Sequence, residues 1–273
     1  MKKTVLTLIV SVCFLTTVQS QQSNVGFGQS QNNAKVADVW YDINISQGSA
    51  NYDTNSNFYL QNDLRAANPE IFKKNDDDSY DIDFKNIKGS PYVSNSYLFG
   101  HVTDEISHKS VNIYLRYNIY NDIIELKASL EKGEKTIALL KKHDISCVIN
   151  GKTYNYLNFT DKKGTHKNGY LKLLYKGKKY SLYERLTSVF TSKKKAQNSY
   201  TKSKPASFSK KVSYYLRKEN KVTFLPNKKK DLLSSFPELN KTLKSYIKRV
   251  HPNFKKENDV LNFVKYLNSS NPF

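Results

Sequence analysis

The sequence predicts an α+β domain: an antiparallel β-sheet meander, able to close as a roll or an open barrel, with a small C-terminal helical unit. Three observations predict it. Val111, Ile113, Leu115, Tyr117 and Ile119 alternate with Asn112, Arg116 and Asn118, the period of two that marks a half-buried strand. Strand-like segments recur at short intervals with turn signals between them, Asn150-Gly151 being the strongest tight-turn dipeptide. Short connections make neighbouring strands antiparallel. Near the end the period changes: Leu239, Leu243, Tyr246, Ile247 and Val250 form one stripe of a helix.

From the N-terminus, Lys2 and Lys3 precede a mostly apolar run to Val18, and Val18-Gln19-Ser20 offers small side chains at the positions a signal peptidase inspects. Residues 1–20 are therefore expected to be a cleavable export signal, cut between Ser20 and Gln21. The run is too short and too interrupted by Thr7, Ser11, Thr16 and Thr17 to be a membrane anchor. Cys13 sits mid-run after Val12, which disfavours lipid attachment. No later stretch is apolar for long enough to span, so the mature chain is expected to have no transmembrane segment and to be periplasmic or secreted. Residues 21–35, rich in Gln, Asn, Ser and Gly, read as a flexible leader that buries too little surface to offset ordering entropy.

Residues 36–226 are expected to form the mainly-β domain. Residues 40–41 and 58–60 suggest strands and 63–67 a short helix. Strands follow at 97–102, 111–119, 123–126, 137–140, 145–149, 153–159, 170–175 and 180–189, with a hairpin turning at Asn121-Asp122. Residues 191–207, with Lys193, Lys194, Lys195 and Pro205, read as an exposed basic loop, and a last hairpin spans 212–217 and 221–225. In the helical unit, 227–273, a short helix at 229–236 comes first. Pro237 suits the first turn of the next helix and Pro252 ends it. Val260, Leu261, Val264 and Leu267 make a further stripe, with Glu257 and Asp259 near its positive start.

Charge is distributed unevenly. The chain carries 44 Lys and Arg against 24 Asp and Glu, a formal +20. Residues 21–161 hold 14 cations against 18 acids, whereas 162–218 hold 17 against one, Glu184. Such a one-signed region attracts polyanions. Lys172, Lys176, Lys178, Lys179, Lys193, Lys194, Lys195, Lys210, Lys211 and Arg217 are the candidate contacts for an anionic partner, either an envelope polymer or lipid head groups. Tyr170, Tyr175, Tyr180, Tyr183, Tyr200, Tyr214 and Tyr215 interleave with them, as in single-strand nucleic-acid binders. An exported protein seldom meets nucleic acid, and no recognition signature is present, so a second role is weighed above stacking: tyrosines covering a thin β core.

Catalytic and cofactor signals are weak, and no catalytic, cofactor or metal residue is assigned. The acidic run 75–83 lacks the glycine and glutamate positions of a helical calcium loop and reads as a solvated turn. No pair among His101, His108, His143, His166 and His251 has zinc-helix spacing. Gly28-Gln29-Ser30-Gln31 lacks the second glycine of a nucleophile elbow. Cleavage leaves Cys147 as a lone thiol, expected to be buried in its strand. Paired carboxylates from separate strands keep an exported hydrolase open as a rival reading, although Asp122 and Glu125 read as charges on the hairpin surface.

Gly89-Ser90-Pro91-Tyr92, then Leu115-Arg116-Tyr117-Asn118-Ile119-Tyr120-Asn121-Asp122 with Ile124-Glu125, resembles a group of uncharacterised exported proteins of Bacteroidetes-type bacteria. Gly169-Tyr170, Gly177-Lys178 with Leu182-Tyr183, Lys204-Pro205-Ala206 with Phe208, Tyr214-Tyr215 and the terminal helices extend the likeness over roughly residues 86–268. The resemblance implies compartment and lineage but no active-site residue. Physically the motif reads as structure, with Arg116 facing Glu125 across the hairpin and Asn121-Asp122 making its turn.

Overall fold

A computed structural model describes residues 72–74, 80–134, 136–196, 198, 200 and 202–269. The expected export signal and leader, the segments at 40–41, 58–60 and 63–67, and residues 75–79 of the acidic run lie outside the described residues.

The alternating segment builds the expected hairpin. β4 (Leu98–Asp104), β5 (Ser110–Asn118) and β6 (Ile123–Lys127) are antiparallel, and Arg116 lies directly opposite Glu125. Val111, Ile113, Leu115, Tyr117 and Ile119 are all buried, as the period of two requires. β8 (Ile145–Ile149) flanks β4 on its other side and turns through Asn150-Gly151 into β9 (Lys152–Thr160). Both turn residues have positive φ, 48° and 70°, the left-handed pair that a two-residue hairpin demands. At the other edge Ile137–Ala138 (β7) pairs with β6, and Leu139 donates its N–H to Ile124 C=O at 2.8 Å with its side chain buried in the core. Cys147 is buried in the same cluster, where burial pushes its thiol pKa well up and removes it from thiolate chemistry.

A second set of strands continues the sheet. β10 (His166–Tyr175) pairs with β9, β11 (Tyr180–Thr191) with the last part of β10, and β12 (Ala206–Lys218) with the whole of β11. β13 (Lys221–Phe224) returns along β12 and meets β9 at one parallel pair, Thr223 opposite Thr160. Strands β9 to β13 thus curl back on themselves as a roll, with Phe159, Leu171, Tyr183, Tyr215 and Val222 packed together. Two short segments precede this sheet: the hairpin of β1 (Phe72–Lys74) and β2 (Tyr80–Ile82), and β3 (Ile87–Lys88), which runs parallel to the start of β12. Between them Asp83 accepts the Lys85 N–H at 3.0 Å and caps a single 3-10 turn, Phe84–Asn86. The architecture is α+β, dominated by antiparallel pairing.

The helices cover one face of the roll. α1 (Lys229–Ser235), a 3-10 turn at Pro237–Leu239, α2 (Asn240–Val250) and α3 (Glu257–Asn268) bury their stripes against Tyr180, Leu182, Tyr214 and Leu216. Two corrections apply to the expected stripes. Val250 is exposed, because His251 takes the left-handed φ of 51° and turns the chain away. Phe263, absent from the expected set, is fully buried between Tyr246 and Phe254. Among the described residues no helix is long and apolar enough to cross a membrane.

Besides the β8–β9 pairing, the β5–β6 hairpin tip joins the two halves of the sheet. β10 pairs with β11 only at Lys172–Glu184, Leu173–Tyr183 and Tyr175–Leu182. Beyond Glu184 the two strands part, and the tip of the β5–β6 hairpin enters the gap. Ser188 N–H donates to Ile119 C=O at 3.1 Å, and Tyr117 hydroxyl donates to Asp122 Oδ1 at 2.6 Å. Arg185 reaches Asp122 Oδ2 at 3.3 Å. A Cβ on Gly169 would stand 2.5 Å from Asp122 Oδ2 and 3.1 Å from the Arg185 guanidinium, so a larger residue would have to displace that ion pair where the tip presses on β10.

Candidate functional site

The geometry separates the polar residues singled out by sequence into those that build the fold and those that remain available to a partner. The hairpin set belongs to the first group. Arg116 Nε and Nη2 donate to Glu125 Oε2 at 2.9 and 2.6 Å, and the guanidinium lies 4.0 Å from the ring centre of Tyr92 and 4.3 Å from that of Tyr97. Asn118 Nδ2 donates to Glu125 Oε1, while its own Oδ1 accepts the Tyr120 and Asn121 N–H groups and so shapes the turn. Glu125 is only 6% exposed. The expectation that Asp122 and Glu125 are hairpin-surface charges is therefore wrong: the neighbouring segments, 90–97 and 169–185, close over both. A cleft beside Arg116, lined also by Val93, Ser96, Leu98 and Tyr154, encloses about 20 Å³, space for roughly one water molecule.

Lys172 also leaves the candidate set. It lies opposite Glu184 across β10 and β11, and its ammonium is 2.7 Å from the Glu184 carboxylate and 3.7 Å from Glu257 at the start of α3. Burial pushes the Glu184 carboxyl pKa up, with Glu257 adding to the rise and Lys172 opposing it. Two carboxyls from separate elements do meet here. Glu184 is 5% exposed beneath α3, while Glu257 remains about half exposed at the start of that helix. Lys210 is partly committed too. Its ammonium donates to Val93 C=O at 3.2 Å, and burial lowers its pKa.

The tyrosines are core. Tyr170, Tyr180, Tyr183, Tyr214 and Tyr215 are all less than 9% exposed and Tyr175 is half-buried, while Tyr200, in the basic loop, is almost fully exposed. Stacking platforms need open ring faces. Five buried rings withdraw that mode and support the covering role.

The remaining cations lie along β11 and β12. These strands pair from Tyr180–Lys218 to Thr191–Ser207, a run of about 36 Å at the usual rise of a strand. Across this ribbon no lysine faces an acid. Lys210 lies opposite Ser188, Lys211 opposite Thr187, Arg217 opposite Ser181 and Lys218 opposite Tyr180. At one end Lys218 also lies opposite Lys221, and at the other Lys194 bridges to Lys204. Like charges placed directly opposite are destabilising. The β10–β11 turn brings Lys176, Lys178 and Lys179 beside Arg217 and Lys218, and the loop after β11 carries Lys193, Lys194 and Lys195. For Lys176, Lys178, Lys193, Lys194, Lys195, Lys211, Arg217 and Lys218, no carboxylate of the described residues lies within 4 Å. The candidate residues thus form two basic ends of one ribbon, with Lys211 exposed between them.

The end at the β10–β11 turn is held in place. Asn268, the last residue of α3, accepts the N–H groups of Lys179 and Tyr180 at 2.9 Å and donates to Tyr180 C=O at 2.9 Å. A Cβ on Gly177 would meet Tyr180 C=O at 2.3 Å and Asn268 Oδ1 at 2.5 Å, which fixes glycine in this turn. Sequence spacing gave no sign of Asn268, because its partners are some 88 positions away.

Among the described residues no three His, Cys, Asp or Glu side chains are grouped to hold a metal. His143 Nδ1 lies 2.9 Å from Tyr156 C=O with its ring stacked on the Tyr156 ring, and His251 caps α2. Compared with protein-family models, with curated proteins and with solved structures, the chain finds no match in any of the three.

Proposed function

We propose that this is an exported, non-enzymatic binding or scaffolding protein of the cell envelope that holds an anionic partner on the β11–β12 ribbon. The observation that carries the reading is the cross-strand pattern between β11 and β12 and at their ends: there the lysines face hydroxyls, a tyrosine ring or other lysines, and not an acid. A fold that needed these charges only for solubility would intersperse both signs. Here the uncompensated repulsion is offset when an anion sits on it, and the affinity gained falls as salt screens the charges. Export follows from the basic start, apolar run and small residues of positions 1–20.

The test is retention on heparin and on lipopolysaccharide-coated beads as sodium chloride is raised. The mature protein is expected to stay bound well beyond a near-neutral control of equal size. Elution together with that control contradicts the reading.

A further inference from the structure

We infer that the anionic partner is an extended polyanionic glycan chain that bridges both ends of the ribbon, rather than a compact anion seated at one end. This rests on the binding reading above and names its ligand class. The basic groups are not one cluster. Lys176, Lys178, Arg217 and Lys218 stand at the turn end, Lys193, Lys194, Lys195 and Lys204 at the loop end, and about 36 Å of paired strand lies between them. That separation is several screening lengths at physiological ionic strength, so the ends do not act as one field. A small anion therefore sees only half of the charge. A chain long enough to reach both ends engages the second as an intramolecular event, gaining roughly 10²-fold or more without a new kind of contact.

The chemistry favours a glycan over the other polyanions. Most of the groups are lysines, compact point charges that suit sulfate or carboxylate without base-specific forks. Five neighbouring tyrosines are buried and cannot stack bases. A membrane surface is bound by apolar insertion beside cations; the turn end carries no exposed large apolar side chain, and exposed Val189, Val212 and Tyr200 lie apart from it, on the ribbon and in the loop.

Size-fractionated heparin oligosaccharides test this with the mature protein at fixed salt. Fragments shorter than the span are expected to bind weakly, two per protein. Fragments longer than it are expected to bind one per protein and about 10²-fold more tightly. Neutralising either end, K176Q/K178Q/K218Q or K193Q/K194Q/K195Q, is expected to return long fragments to short-fragment affinity. All six positions are exposed, so unchanged melting shows that the variants remain folded. An affinity that levels off well below the span, or that one end supplies alone, overturns the bridging inference and leaves the binding reading standing. Failure of every fragment to bind removes the binding reading itself. Tighter binding of anionic vesicles, or of single-stranded DNA of equal length, than of the longest heparin fragment overturns the glycan assignment.

Discussion

Glu125 is a buried carboxylate held by one guanidinium, and that dependence sets the strongest single-residue expectation. Replacing Arg116 with Ala leaves the charge uncompensated and opens the space between Tyr92 and Tyr97. The loss is expected to be about 3–5 kcal/mol by chemical denaturation. Arg116→Lys is expected to recover only a minor share, since an ammonium supplies neither the fork nor the stacked plane. Glu184 makes a prediction about pH. Its carboxyl pKa is raised by burial, so the folded chain holds the proton more tightly than the unfolded chain does. The stability it contributes is fully present below the ordinary glutamate value near 4.3 and is lost as pH rises through the elevated one. Unfolding free energies of wild type and Glu184→Gln, compared at several pH values, are expected to show wild type gaining on the variant as pH falls. A gain as pH rises would mean that the Lys172 contact outweighs burial. The Arg116–Glu125 pairing was legible because a period-two strand and a short turn place the two residues opposite each other. Lys172–Glu184 and Asp122–Arg185 were not. The first needs the β10–β11 register, and the second needs a hairpin tip to enter a gap between strands 48 and 63 positions away.

At the scale of elements, Asn268 adds a hydrogen-bonded tie to the apolar packing of α3 on the roll. Asn268→Ala removes three hydrogen bonds to the β10–β11 turn and strands two N–H donors. A cost of roughly 1–3 kcal/mol is expected, with faster hydrogen exchange at Lys179 and Tyr180. Phe263→Ala, which empties the centre of the helical stripe, is expected to cost about 3–5 kcal/mol in thermal or denaturant melts. Strong periodicity made most elements readable. The central strands and both long helices begin within a few residues of their sequence signals. β12 did not, because its first half, Ala206-Ser207-Phe208-Ser209-Lys210-Lys211, offers only Ala206 and Phe208 as apolar markers. Its strand character comes from pairing with β11 and β3, with Ala206 and Phe208 buried beside Ile87. The expected loop 191–207 is correspondingly shorter, and its lysines sit closer to the ribbon.

The whole molecule places charge and core on a shared frame. The first sheet fills its core with aliphatic residues, the roll with aromatic ones, and the helices shield the face that carries Tyr180 and Tyr214. The outward lysines at the two ends of the ribbon then have no carboxylate of the described residues within 4 Å. Composition gave the excess of charge after Asp161 but not its arrangement, since spacing along a chain does not say that two clusters stand at opposite ends of one pair of strands. The most direct test is a charge-matched comparison of salt-dependent heparin elution. One variant replaces Lys176, Lys178, Lys193, Lys194 and Lys195 with Gln. The other makes the same change at Lys228, Lys229, Lys230, Lys241 and Lys244 on the helical unit, giving an equal net charge. The ribbon variant is expected to elute near a neutral control, and the helix variant close to wild type. Equal loss in both variants would mean that total charge, rather than the ribbon, does the binding.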